Sequence, residues 1–116
     1  MSGTEYVDKV LDAGTYQQKD NALKFTGEVD RVYKAIPQDT TSILEDGKPR
    51  FDVIRDNVKD TVTWNPWIEK AKAMGDFSPD DGYKTMVCIE IGAVDGWQKL
   101  EKGEVWEGGQ LVKSLL

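Results

Sequence analysis

A chain of 116 residues with 39% hydrophobic content has room for one domain, spanning 1–116, and for a core of modest size. Its 21 acidic residues against 15 basic ones leave a net charge of −6, which excludes a general binder of nucleic acid or of anionic membranes, since both need a basic surface. It has no histidine and one cysteine, so the commonest ligands of zinc, copper and haem are lacking and no metal site is expected.

Cys88 has no partner on this chain, so no internal disulfide forms. It lies among apolar residues, which reads as a structural thiol rather than a nucleophile. No run approaches the roughly 18 apolar residues of a membrane-spanning helix. The first residues, Met1 to Glu5, lack the basic and apolar regions of a secretory signal, and a cytoplasmic location is the expectation.

In chain order, Tyr6–Leu11 reads as a short strand closed by Asp12-Ala13-Gly14, and the polar run Gln17–Asn21 reads as a loop. In Glu28–Ile36, alternation puts Val29, Arg31 and Tyr33 on one face and Asp30, Val32 and Lys34 on the other. Asp30 and Arg31, though adjacent, therefore need not serve each other. Thr40–Leu44 and Arg50–Arg55 form a hairpin about Asp46-Gly47. Arg50 and Arg55 are two of only three arginines, and their five-residue spacing points them to opposite faces, which favours structural or solvated roles.

Thr61–Trp64 reads as a strand running into the one clear helix, near 66–74. Asn65 is its N-cap, Pro66 its first residue and Gly75 its left-handed C-terminal position. So short a helix must pack on a sheet to persist. The acidic loop Asp76–Gly82 lacks calcium-loop spacing.

Tyr83 opens the most apolar strand, Lys84–Gly92, with Met86, Cys88 and Glu90 on one face and Val87, Ile89 and Ile91 on the other. Apolar residues on both faces predict a strand covered on both sides. A carboxylate there is costly unless it is paired, hydrogen-bonded or set in a working cleft, and Glu90 is the candidate general base. Turns at Asp95-Gly96 and Glu101–Gly103 separate two further extended runs, 97–100 and 104–107, and Gln110–Leu115 closes the chain as a strand. Seven or more short strands and one helix predict an all-β antiparallel sandwich. Any of the four tryptophans could stack on a sugar ring, although such residues more often anchor a core.

The segments Thr63–Lys70, Met74–Phe77, Asp81–Lys84 and Met86–Glu90, with Phe25–Tyr33 and Tyr6–Lys9, resemble the hexose-6-phosphate mutarotases, or glucose-6-phosphate 1-epimerases, of the aldose 1-epimerase superfamily. The resemblance covers nearly the whole chain. It implies the C-terminal part of a galactose-mutarotase-like β-supersandwich and cofactor-free interconversion of the α and β anomers of a hexose 6-phosphate. It makes Glu90 the base toward the anomeric hydroxyl and Asp30 a residue that hydrogen-bonds sugar hydroxyls.

The family's catalytic histidine and phosphate-binding arginines would precede Tyr6, and members are roughly twice this length or more, as a supersandwich requires. The expectation is thus a truncated isomerase, weak or inactive alone, beginning at an internal or alternative Met1. Its protein partner would be a missing N-terminal half, or another copy meeting it through exposed sheet edges. The alternative is a non-catalytic carbohydrate-binding β-sandwich or pseudoenzyme fragment.

Overall fold

The computed structural model describes residues 2–115. Its strands are β1 (Glu5–Asp8), β2 (Gly14–Gln17), β3 (Val29–Tyr33), β4 (Thr40–Glu45), β5 (Lys48–Asp56), β6 (Asp60–Asn65), β7 (Cys88–Gly92) and β8 (Gly109–Ser114). Helix α1 (Trp67–Ala73) and a 3-10 turn (Gly82–Thr85) lie between β6 and β7. The strands form a five-stranded sheet, β2-β1-β3-β6-β7, and a three-stranded sheet, β4-β5-β8, with every pairing antiparallel. Among the described residues, no helix is long and apolar enough to cross a membrane.

The hairpin β4–β5 turns where expected. Asp46 and Gly47 both have positive φ, 51° and 75°, the conformation that a two-residue hairpin turn matched to strand twist requires. The helix departs from its sequence signals at both ends. Its N-cap is Pro66 rather than Asn65 and it starts at Trp67, although Asn65 Oδ1 accepts the Trp67 N–H at 2.9 Å from one residue ahead of the cap. Gly75 does not take a left-handed conformation; Met74 turns extended instead, with its N–H on the Lys70 carbonyl.

Three expectations are corrected. Gly14, read as a turn, and Gln17, read as loop, are the ends of a strand, because Asp12 and Ala13 adopt left-handed φ and fold it back onto β1, which itself ends at Asp8 rather than Leu11. Tyr83 does not open the Glu90 strand; residues 82–85 are a 3-10 turn, and β7 begins at Cys88, where pairing with Trp64 begins. The runs 97–100 and 104–107 are not strands, although Gly96 and Gly103 do turn with positive φ. Among the described residues they pair with no strand, and a strand without a ladder has little to hold it.

The sheets meet at Arg55, which is 5% exposed and donates to Thr41 Oγ1 at 3.1 Å, to Thr61 Oγ1 at 3.0 Å and to the Gln38 carbonyl. Burial pushes its guanidinium pKa down, against the pull of Asp39 and Asp60. Arg50 faces away and pairs with Glu45 at 2.7 Å. Both arginines are structural, as their spacing suggested.

The inner face of the five-stranded sheet carries Arg31, Tyr33, Thr61 and Thr63, by strand alternation. Buried apolar side chains are few: Val29, Val32, Tyr33, Val53 and Ala71. The radius of gyration is 15.5 Å, where a compact chain of this length has about 13 Å. Tyr6 and Tyr16 line an open cleft of about 800 Å³.

Candidate functional site

The two site residues read from the sequence come to the same face of the same sheet. Register pairs Asp30 with Trp64 and Trp64 with Cys88; one step along, Val32 pairs with Val62 and Val62 with Glu90. Directly opposed residues in antiparallel strands point the same way. Asp30, Trp64, Cys88, Val62 and Glu90 therefore share the outer face, away from Arg55. With strands spaced about 4.8 Å apart, the two carboxylates rise from backbone positions about 12 Å from each other. That gap, with β6 beneath it, is wide enough for a single sugar ring.

Glu90 differs from the sequence reading in its surroundings. β7 is the edge strand of its sheet, and its residues are half-buried except Glu90, which is exposed. The apolar run predicted cover on both sides; on the outer face Val32 is buried and Val62, Trp64 and Cys88 are half-buried, while Glu90 itself is open to solvent. Asp30 is half-buried, and its carbonyl accepts the Lys9 N–H at 2.8 Å, which ties the turn after β1 to the strand bearing the carboxylate.

Cys88 lies one inter-residue step of the same face from Glu90. Burial, and then the charge of Glu90, push its thiol pKa up, away from the thiolate form. This agrees with the structural role read from its apolar neighbours.

Behind Asp30, on the inner face, Arg31 turns to other partners. Its Nε donates to Asp8 Oδ2 at 3.3 Å, its NH1 to the Tyr33 hydroxyl at 3.3 Å, and its guanidinium lies 4.5 Å from the Tyr6 ring centre. The Tyr33 hydroxyl donates to Gln18 Oε1 at 2.9 Å. Burial pushes the Tyr33 phenol up, and the hydrogen bond from Arg31 opposes that shift. The alternation of Asp30 and Arg31 was legible from spacing alone; the identity of the partners was not.

Two residues that hold the site in place escaped the sequence reading. Asp60, 4% exposed, accepts the Ala35 N–H on Oδ1 at 3.0 Å and the Val94 and Asp95 N–H groups on Oδ2 at 2.8 Å each. It thereby clamps the chain just past β3 and just past β7, the strands of Asp30 and Glu90. Lys34 then bridges Asp95 at 3.3 Å and Glu5 at 3.7 Å. Asn65, read only as a cap, also donates from Nδ2 to the carbonyls of Tyr83 at 2.9 Å and Met86 at 3.1 Å, and so fixes the lead into β7. Its neighbour Trp67 has φ of 59°, an outlier for a bulky residue, held by the Asn65 bond and by the Tyr83 ring 5.1 Å away. A buried Asp at a strand start was the only signal available for the first clamp.

Among the described residues, no group of three or more His, Cys, Asp or Glu side chains is arranged to hold a metal ion. The chemistry this face offers is that of two carboxylates over a partly apolar floor.

The model of the family described as "Aldose 1-epimerase" matches residues 2–113. A relative from Cenchrus ciliaris, named "Putative glucose-6-phosphate 1-epimerase", is 39% identical over 104 residues, covering 90% of this chain and 31% of the relative. One of the same name from Escherichia coli K12 is 37% identical over 101 residues, covering 86% and 34%. A crystal structure from Salmonella typhimurium, described as "a putative mutarotase", superposes with a TM-score of 0.69 at 36% identity over 80% of this chain and 32% of the other. The chain thus spans about a third of the length of the curated relatives it matches.

Proposed function

The chain belongs to the aldose 1-epimerase family, and from that premise we propose that it carries the base-bearing part of a glucose-6-phosphate 1-epimerase site. Glu90 takes the proton of the anomeric hydroxyl. As the C1–O1 bond gains carbonyl character, the C1–O5 bond breaks and O5 takes a proton from a general acid. Rotation about C1–C2 exposes the other face of the carbonyl. O5 then attacks C1, loses its proton to the acid's conjugate base, and O1 recovers a proton from Glu90. Asp30 hydrogen-bonds ring hydroxyls and holds the sugar over β6.

The observation that supports this reading is the placement of Asp30 and Glu90 on one outer face, separated by a single strand. An exposed Glu90 has room for a sugar hydroxyl, and a closed, drier site would strengthen it as a base. The substrate class is a hexose 6-phosphate, in keeping with the names of the relatives.

The general acid is not a histidine of this chain, which has none. A positioned acid or base typically contributes about 10²–10⁴-fold, so in this reading the chain on its own accelerates the exchange only weakly. The same observation favours a second reading, a sugar-binding module that holds hexose 6-phosphate on Asp30 and Glu90 without turning it over. The protein partner in the first reading is a polypeptide that supplies the acid and the phosphate-binding groups.

Exchange between α- and β-glucose 6-phosphate, followed by NMR magnetisation transfer, tests both. Acceleration by the protein that vanishes in Glu90→Gln supports the epimerase. Saturable binding without acceleration supports the binding module. Absence of both rejects the two together.

A further inference from the structure

The four tryptophans occupy four different settings. Trp67 packs on Tyr83 at the start of α1. Trp106 lies against the backbone of Gly108, where an added Cβ would come within 2.7 Å of its ring. Trp97 is fully exposed in the segment after β7. Trp64 alone stands on the five-stranded sheet, on β6, with Asp30 opposite it on one side and Cys88 on the other. It is half-buried, so part of the indole is open on the face that carries Glu90.

We propose that Trp64 is the stacking platform of the sugar site and makes it selective for the closed pyranose ring. This rests on the reading of Asp30 and Glu90 given above. A pyranose has a flat patch of C–H groups on one face and hydroxyls at its rim. An indole fixed in a central strand meets that patch with a rigid apolar plane, while a carboxylate on each side reaches rim hydroxyls. The small Cys88 and Val62, beside Trp64 and Glu90, leave the ring space to lie down. An acyclic polyol phosphate offers the same phosphate and hydroxyls but no flat patch, so the platform gives it no advantage.

The test is a saturation-transfer NMR titration with glucose 6-phosphate and with its acyclic counterpart, glucitol 6-phosphate. The proteins are wild type, Trp64→Phe, Trp64→Leu, Trp64→Ala and Asp30→Asn, each checked for fold by circular dichroism. Wild type prefers the ring. Trp64→Leu and Trp64→Ala lose about two- to tenfold in affinity for glucose 6-phosphate, the range of an aromatic contact, and keep that for glucitol 6-phosphate; Trp64→Phe retains the preference. If Trp64→Ala does not fold, Trp64→Leu, which keeps apolar bulk without a ring face, decides on the same criteria. Equal losses for both ligands, or no loss, overturn the proposal. Where Asp30→Asn weakens binding and the Trp64 variants do not, only the platform fails. Where wild type does not bind, or where no variant, Asp30→Asn included, changes its binding, the site itself fails and takes the platform with it.

Discussion

Asp60 accepts the backbone N–H of Val94 at 2.8 Å, and through that bond the central strand β6 holds the chain just beyond the strand of Glu90. The same carboxylate reaches Ala35, just beyond the strand of Asp30. One buried side chain thus sets both outer members of the site against the strand between them. Asp60→Ala leaves three N–H groups without their acceptor and is expected to cost about 2–4 kcal/mol. Urea unfolding measures this. Asp60→Asn retains the shape but turns a donor toward at least one N–H, and falls between wild type and alanine.

Glu90 offers the opposite case. It is exposed, in no ion pair among the described residues, and on an edge strand. Glu90→Gln is expected to leave the urea midpoint of the protein unchanged, while abolishing any acceleration of anomer exchange. A variant that loses activity together with stability would mark Glu90 as structural.

The pH dependence of stability on the alkaline side follows from Tyr33 and Cys88, both raised chiefly by burial. A group whose pKa is raised in the folded state stabilises fully below its unfolded pKa. That contribution disappears as pH rises through the folded value. Stability is therefore expected to fall above the ordinary thiol and phenol ranges, from about pH 9 upward. Tyr33→Phe removes the phenol's share of the fall. It also leaves Gln18 Oε1 without its donor, at about 1–2 kcal/mol near neutral pH. Thermal melts of both proteins between pH 7 and 10.5 check the slope and the offset.

β8 is an edge strand whose Leu111 and Val112 point to opposite faces and are 59% and 55% exposed. An edge with open ladder groups and apolar side chains on both faces invites pairing with another strand. Sedimentation velocity is expected to show concentration-dependent association of the wild-type chain. Leu111→Lys should reduce it without lowering the thermal midpoint, because the side chain it replaces is already in water.

The amino-acid sequence alone determined the strand alternation, the Asp46-Gly47 hairpin and a side-chain acceptor from Asn65 at the start of α1. These depend on residues close together, where period and turn chemistry are decisive. It likewise placed Asp30 and Arg31 on opposite faces, and the motif around Glu90 carried the family resemblance. Tertiary structure alone decided that Asp30 and Glu90 share one face across β6. It also decided which tryptophan lies between their strands, and that β7 is an edge strand. Register between strands far apart in the chain is a cooperative outcome of the whole sheet, and no local pattern encodes it. The clamps by Asp60 and Asn65 were hidden for the same reason: their partners lie 18 to 35 residues away. A lone Asp or Asn says nothing of which distant N–H or carbonyl it will meet until the sheet has formed.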